Sequence, residues 1–417
     1  MVGGNVSRLA YLSCVLPGVL DRGVLLRFAP LRLALVSAVI VLATAGTAAA
    51  ATPAATPHPD NRGDAKSRAA SAYQALNTYL AVDDGSGLYH EQYPVQSTDN
   101  AYSYEWSFSQ AHVATLDLAT VDPRYRSALA QRAAAQEHYW KPSGGTTGLP
   151  GYASYPVAPY GGGGDFFYDD NDWVGLEKVQ SYLTSGDPAS LARAEQIFTL
   201  VESGWDTDPT HADPGGVFWT QASWSHDRNT VSTMPAAELG LRLYQITHKA
   251  EYLQWALRMY QWTNTYLQSP SGLYWDHMDL TGTVDPTMWS YNQGVPVGVN
   301  VLLYQVTGDP SYLREAQRIA DATYTYYVTG GRLAGQPIYF NSIMFKNLLL
   351  LESVTGEDRY DQAMAAYADQ VWSTQRDPAT GLVQLDSSGT TQLLQQSAFV
   401  QIYAALAMHR SDWSALY

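Results

Sequence analysis

Gly308-Asp309-Pro310-Ser311-Tyr312 is the stretch whose recurrence decides the fold. Aspartate ahead of proline places a side-chain acceptor at a helix N-cap and a residue of fixed φ in the first turn, so a helix is expected to start here. Leu313, Ala316, Ala320, Thr323 and Tyr327 then recur at spacings of three and four, the stripe of an amphipathic helix. Related punctuation stands at Val121-Asp-Pro-Arg-Tyr125, Gly186-Asp-Pro-Ala-Ser190, His248-Lys-Ala-Glu-Tyr252 and Gly356-Glu-Asp-Arg-Tyr360, in steps of 65, 62, 60 and 48 residues. A period of this size is the mark of a repeat architecture.

Each such helix is followed by a glycine turn and a short extended piece: Gly87-Leu-Tyr89, Gly148-Leu149, Gly216-Val-Phe-Trp219, Gly272-Leu-Tyr-Trp275 and Gly381-Leu-Val383, with Gly330-Gly331 filling the sixth place more loosely. A more apolar helix comes next. These inner helices are expected near 104–120, 170–184, 231–247, 291–307, 340–355 and 393–408. Segments such as Val295 to Val306 are apolar nearly all round, as buried helices are. Six outer and six inner helices close a ring, so the expected class is all-α, a single (α/α)6 toroid over residues 64–417. The residues just before each inner helix would line its funnel.

Ahead of the toroid, Arg27 and Arg32 precede an apolar run from Leu33 to Ala45 and the small residues Gly46-Thr-Ala-Ala-Ala50. That order reads as a secretory signal over residues 1–50, followed by a Thr/Pro/Ala-rich linker over 51–63. The only cysteine among the 417 residues, Cys14, falls in this leader, so the exported domain relies on its core and not on disulfides. Residues 1–50 carry four Arg and one Asp; removing them takes the net charge from −15 to about −18. Such a charge argues against nucleic acid or anionic membrane surfaces as partners and suits a neutral polymer. No segment is apolar for long enough to span a membrane. A monomer with no cofactor is expected. Twelve Trp and 30 Tyr supply flat rings of the kind that stack on sugars, although many must be core.

The loops converging on the funnel share a vocabulary of aromatic, amide and carboxylate. Gly161-Gly-Gly-Gly164 leads into Asp165-Phe-Phe-Tyr168-Asp169-Asp170-Asn171-Asp172-Trp173, where adjacent carboxylates oppose each other's ionisation. By itself the acidic run reads as a helix cap, as a calcium-binding turn, or as the acid and nucleophile of glycoside hydrolysis. Other loops give Tyr104-Glu105-Trp106, Trp224 with His226-Asp227-Arg228-Asn229-Thr230, Trp289-Ser-Tyr291-Asn292-Gln293-Gly294, and Tyr339-Phe-Asn341 with Lys346 beyond. No two histidines stand four apart, the leader holds the lone cysteine, and the glycine run lacks a following Lys-Ser/Thr. Neither a metal constellation nor a phosphate loop is therefore read.

Taken together, Tyr168-Asp-Asp-Asn-Asp-Trp173, Arg228-Asn-Thr-Val-Ser-Thr233 with Pro235-Ala-Ala237, and Tyr291-Asn-Gln-Gly294 resemble three motifs of glycoside hydrolase family 76, the endo-α-1,6-mannanases. The resemblance runs from about residue 66 to 410. It implies an (α/α)6 fold and a retaining reaction on α-1,6-mannan, with Asp169 as nucleophile and Asp170 as general acid/base. Sequence neighbours diverge within a regular helix. Both aspartates are therefore expected at or before the first turn of their inner helix. Tyr168, Trp224, Asn229, Thr230, Trp289, Tyr291, Asn292 and Gln293 are the candidate substrate contacts, though the amides also suit helix caps and core bonds. Asp172 departs from the family pattern and reads as a solvated or capping residue; Glu105 is a reserve carboxylate. Capture of the covalent intermediate by a sugar, or an idle glycan-binding toroid, are the alternatives. An epimerase-like toroid is disfavoured, because the inner helices carry few histidines.

Overall fold

The computed structural model describes residues 62–384 and 388–417. The leader expected in residues 1–50, and the linker as far as residue 61, lie outside the described residues; Arg62 and Gly63 already belong to the first helix.

Among the described residues twelve α-helices alternate between two environments. The outer ones are α1 (Arg62–Tyr79), α3 (Arg126–Gln136), α5 (Pro188–Glu202), α7 (Ala250–Tyr266), α9 (Pro310–Thr323) and α11 (Arg359–Thr374). The inner ones are α2 (Glu105–Val121), α4 (Tyr168–Ser185), α6 (Thr230–Thr247), α8 (Tyr291–Thr307), α10 (Ile338–Thr355) and α12 (Leu393–Ala407). Outer helices bury one stripe: in α9 it is Ala316, Ile319, Ala320 and Thr323. Inner helices bury every side, as the unbroken buried run Tyr291–Leu303 of α8 shows. Each inner helix packs on the next, α2 to α4 and onward to α12, which packs back on α2 and closes the ring.

The inner-to-outer turns explain the repeated sequence. The residue ending the inner helix takes a left-handed conformation at Gly186, Gly308 and Gly356, with φ of 73°, 73° and 76°, where a Cβ would be strained. His248 holds the same place at φ 59° despite its side chain. Asp187 and Asp309 then cap α5 and α9 through the backbone N–H groups of Ala189 and Ser311. The sequence pairs each outer helix with the inner helix after it. In the structure an inner helix instead packs most closely on the outer helix that follows it, across this short turn. The first outer helix, α1, is left for the last inner helix, α12, so the two ends of the domain seal the ring.

The extended pieces return along the ends of the outer helices. Tyr89, Val217, Tyr274 and Val383 form single β-bridges to Ala81, Trp205, Gln268 and Arg376, and Tyr152 pairs with Trp140 in a two-residue ladder. Four of these five residues are held by a polar side chain from the first turn of the next inner helix. Asn171 bonds both backbone atoms of Tyr152, Gln293 those of Tyr274, Thr233 takes the N–H of Val217 and Gln396 that of Val383. In the first repeat Phe108 stands in the amide's place and packs its ring on Tyr89.

At the far end of the toroid the segment Arg410–Tyr417 covers the axis. Trp413, Leu416 and Tyr417 are buried, and Arg242 of α6 donates to the carbonyls of Ser414 and Leu416. Lys346, which the sequence places near the funnel loops, sits here, 3.3 Å from Asp117 and over the Tyr417 ring.

Candidate active site

Two of the four glycines before the acidic run, Gly161 and Gly164, serve the chain's own packing. A Cβ on Gly161 would lie 2.4 Å from the Pro156 carbonyl oxygen, and one on Gly164 2.2 Å from Ser154 Oγ. The loop therefore lies against residues 154–157 and delivers Phe167 to the N-cap of α4. Asp169 and Asp170 follow in the first turn of that helix, 8% and 1% exposed. Neither faces bulk water.

Trp219 was not singled out by sequence. Its indole Nε1–H donates to Asp169 Oδ2 at 3.0 Å. The Trp219 carbonyl accepts the Tyr168 N–H at 2.8 Å and Thr220 bridges Phe167, so the extended piece of one repeat is tied to the first turn of the helix that bears the carboxylates. The Phe167 and Trp224 rings meet the indole edge-on at 5.3 and 5.7 Å.

Burial, and then the charge of Asp170, drives the Asp169 carboxyl well above the usual range, against the Trp219 donor and the backbone amides of Asp169 and Asp170 that favour its anion. A charge on either member of the pair therefore opposes a charge on the other. Behind them stand two further acids. Asp172 is fully buried, neither oxygen has a hydrogen-bond partner among the described residues, and burial followed by the proximity of Asp169 holds it well above the usual range. This corrects its reading as a solvated or capping residue. Three residues after Asp169, it lies a turn deeper on about the same face of the helix, where the neighbouring inner helices leave no water. Glu105, at the start of α2, is likewise fully buried, and burial and then Asp170 push it up. Glu91 takes the Ser107 hydroxyl at 2.6 Å and the Tyr104 N–H at 2.9 Å, and burial raises it to about 7.

The remaining expected contacts divide. Trp224 and Trp289 are half-exposed, and the Trp289 ring lies 5.5 Å from Phe340. Tyr291 is stacked on Phe340 at 3.8 Å and is pushed up by burial and then by the nearby Asp276 and Asp169 carboxylates. Asn292 Nδ2 donates to Asp276 Oδ1 at 3.1 Å. Asn229 is 5% exposed and its Oδ1 has no partner among the described residues. Thr230 is spent on structure, its hydroxyl donating to the Trp275 carbonyl at 2.6 Å. Gln293 is spent likewise: its amide is used by Tyr274 N–H, Tyr274 O and Trp289 O, which removes it from the substrate contacts. Tyr168 is 4% exposed and faces Gly204, where an added Cβ would lie 2.7 Å from its ring; it is a wall residue and not a stacking platform.

Asp276 is the acid that sequence missed. It follows the fourth extended piece, with Oδ2 3.0 Å from His277 Nδ1. Burial opposes a charge on His277, but the bond to Asp276, with Asp227 and Asp285 nearby, outweighs it and raises its pKa. Asp276, His277 and Asp285 each offer a ligand atom within 4.8 Å of the others, so folding assembles a spacing that fits a metal ion where sequence showed none. The register Asn229↔His277↔Asp285 across the small sheet is what brings these side chains together.

Among the described residues no helix is long and apolar enough to cross a membrane. Residues 64–415 match the sequence model of Glycosyl hydrolase family 76. Among curated relatives, the mannan endo-1,6-alpha-mannosidase DCW1 of Saccharomyces cerevisiae is 26% identical over 155 residues, which are 34% of this chain and 33% of that protein. The match thus spans about a third of that relative's length. Among solved structures, a family 76 glycoside hydrolase (mannosidase) of Bacteroides thetaiotaomicron superposes with a TM-score of 0.72 at 26% identity, covering 82% of this chain and 98% of that one. An inactive variant of an α-1,6-mannanase from a Salegentibacter species, altered at two consecutive aspartates and bound to α-1,6-mannotriose, shares the fold with a TM-score of 0.66 at 19% identity over 82% and 99% of the two chains.

Proposed function

We infer that this chain, which belongs to glycosyl hydrolase family 76, is an exported hydrolase of the α-1,6-mannosidic bonds of mannan. The observation that carries the reading is the pair Asp169 and Asp170, both buried in the first turn of one inner helix, with the Trp219 donor on Asp169. Two aspartates replaced in sequence in an inactive, mannotriose-bound relative support the same pair here. The apolar run before residue 50 supports export.

In this reading Asp169 acts as the anion and Asp170 carries the proton. The Asp169 carboxylate attacks C1 of the mannosyl unit while the C1–O6 bond breaks and Asp170 gives its proton to the departing O6. Asp170, now ionised, removes a proton from a water that attacks C1, and the ester to Asp169 opens. Two inversions return the α configuration. Half-exposed Trp224 and Trp289 are candidate rings to stack on sugars, and Tyr291, within electrostatic reach of both Asp169 and Asp276, and Asn292, bonded to Asp276, are candidate polar contacts.

Linear α-1,6-mannan incubated with the protein should yield oligosaccharides whose first-formed ends are α by NMR. Asp169→Asn and Asp170→Asn should each abolish release while keeping the thermal transition. An active Asp169→Asn protein, or a first product of β configuration, would overturn the assignment.

A further inference from the structure

We propose that Trp219 is a positioning residue that makes Asp169, and not Asp170, the ionised member of the catalytic pair. The inference deepens the proposed function and rests on Asp169 being the nucleophile.

Two adjacent acids in one buried turn hold one charge more easily than two, and something must decide which of them bears it. The groups facing Asp169 are Asp170 and Asp172 on its own helix, Tyr291 from α8, and Trp219 from the extended piece of the third repeat. The carboxyls disfavour a charge on Asp169. The indole N–H, 3.0 Å from Oδ2, favours it, and hydrogen bonds to an ionised group are about twice as strong as neutral ones. The donor is also held in place. One backbone bond ties Trp219 to Tyr168, and the Phe167 and Trp224 rings press on the indole at 5.3 and 5.7 Å, so the N–H needs no reordering as charge develops. A tryptophan serving only as a sugar platform would have no need of a fixed nitrogen.

Asp170 has acidic neighbours of its own, Glu105 and Glu91, which discourage a second charge on that side. Acids thus crowd both members of the pair, and the fixed indole N–H is what favours a charge at Asp169.

Trp219→Phe keeps a ring and removes the N–H. The acidic limb of kcat/KM on mannan should move up by roughly one pH unit, and kcat should fall on the order of tenfold to a hundredfold, with KM changed far less. A variant whose acidic limb matches the parent protein overturns the proposal, whatever its KM. Should Trp219→Phe fail to fold, the indole N–H resonance of Trp219 can be read in the unaltered protein, identified by its displacement in Asp169→Asn. It should shift over the pH step that sets the acidic limb, and a resonance that stays fixed through that step counts against the proposal. Neither reading is confused with failure of the nucleophile assignment, which would show as activity remaining in Asp169→Asn.

Discussion

Gln293 grips Tyr274 at both backbone atoms, accepting its N–H at 2.6 Å and donating to its carbonyl at 2.9 Å. Asn171 and Tyr152 repeat the arrangement two repeats earlier, at 2.8 and 3.0 Å. A side-chain amide thus behaves as one more rung of a β-ladder, joining a helix's first turn to the extended piece before it. Removing it leaves two buried backbone groups unbonded. Gln293→Ala should cost about 3 kcal/mol of stability and several degrees of Tm, yet retain most of its kcat and KM at low temperature. Neighbouring Asn292→Ala, whose amide reaches Asp276 beside Tyr291, should do the reverse: little change in Tm and a clear loss of kcat/KM. Thermal melts and steady-state kinetics on the two variants check this, and a Gln293→Ala protein that is stable but unable to bind mannan would refute it.

Gly294, the last residue of the same motif, serves the wall. A Cβ there would lie 2.5 Å from the Met344 Cα, a backbone atom of the neighbouring inner helix. No side chain can swing aside to relieve that clash, so α8 and α10 would have to separate. Gly294→Ala should therefore destabilise by more than an ordinary overpacking change, roughly 3 kcal/mol or above, despite alanine's better helix propensity. Gly308→Ala, with nothing near its Cβ but φ of 73°, should cost only about 1 kcal/mol.

The ring could be read from sequence because its signals are local. A glycine or equivalent at φ above zero, an aspartate cap, a proline in the first turn and a stripe at three and four are fixed by residues within one turn of each other. The six inner helices consequently begin within two residues of where the periodicity put them. The site was less legible because its bonds are not local. Trp219 reaches Asp169 across 50 positions, and the Asp276–His277–Asp285 trio needs the sheet register to form. Asn292 and Gln293 look alike in a sequence, yet helical rotation sends one toward Asp276 and the other into the wall. Asp172 misleads for a related reason: in most helices an acid three residues after another faces solvent, but an inner helix of a toroid has no solvent face.

The two catalytic roles proposed for the pair separate under a change of leaving group. Asp170→Ala lacks the proton donor, so an aryl α-mannoside whose phenol leaves without protonation should still form the Asp169 ester, and added azide should speed its turnover. Asp169→Ala cannot form that ester and should stay inactive on the same substrate. A burst of phenol from Asp170→Ala, absent in Asp169→Ala, is the expected stopped-flow result. The opposite pattern would exchange the two roles.

The buried acids also predict how stability depends on pH. Glu238 is raised to about 7 and Glu352 to about 8, burial being the leading cause for each, and Asp172 and Glu105 stand well above the usual carboxylate range. In the unfolded chain all of these titrate near 4. Between pH 4 and 8 the native state therefore holds more protons than the unfolded state, and stability falls as pH rises through that window. Glu177 works the other way: burial opposes its charge, but His112 and Lys178 bring it down to about 2, so its contribution is present above about 4 and is lost toward pH 2. The two trends meet at a stability maximum near pH 5, roughly. Asp172→Asn keeps the shape of the neutral acid but cannot ionise, so its Tm should match the parent at pH 5 and exceed it at pH 8, with a flatter slope between. Melting curves at four or five pH values decide the matter; a parent Tm that climbs from pH 5 to 8 would show that the buried acids as a set are not held protonated, and a variant slope equal to the parent's would show that Asp172 is ionised in the native fold.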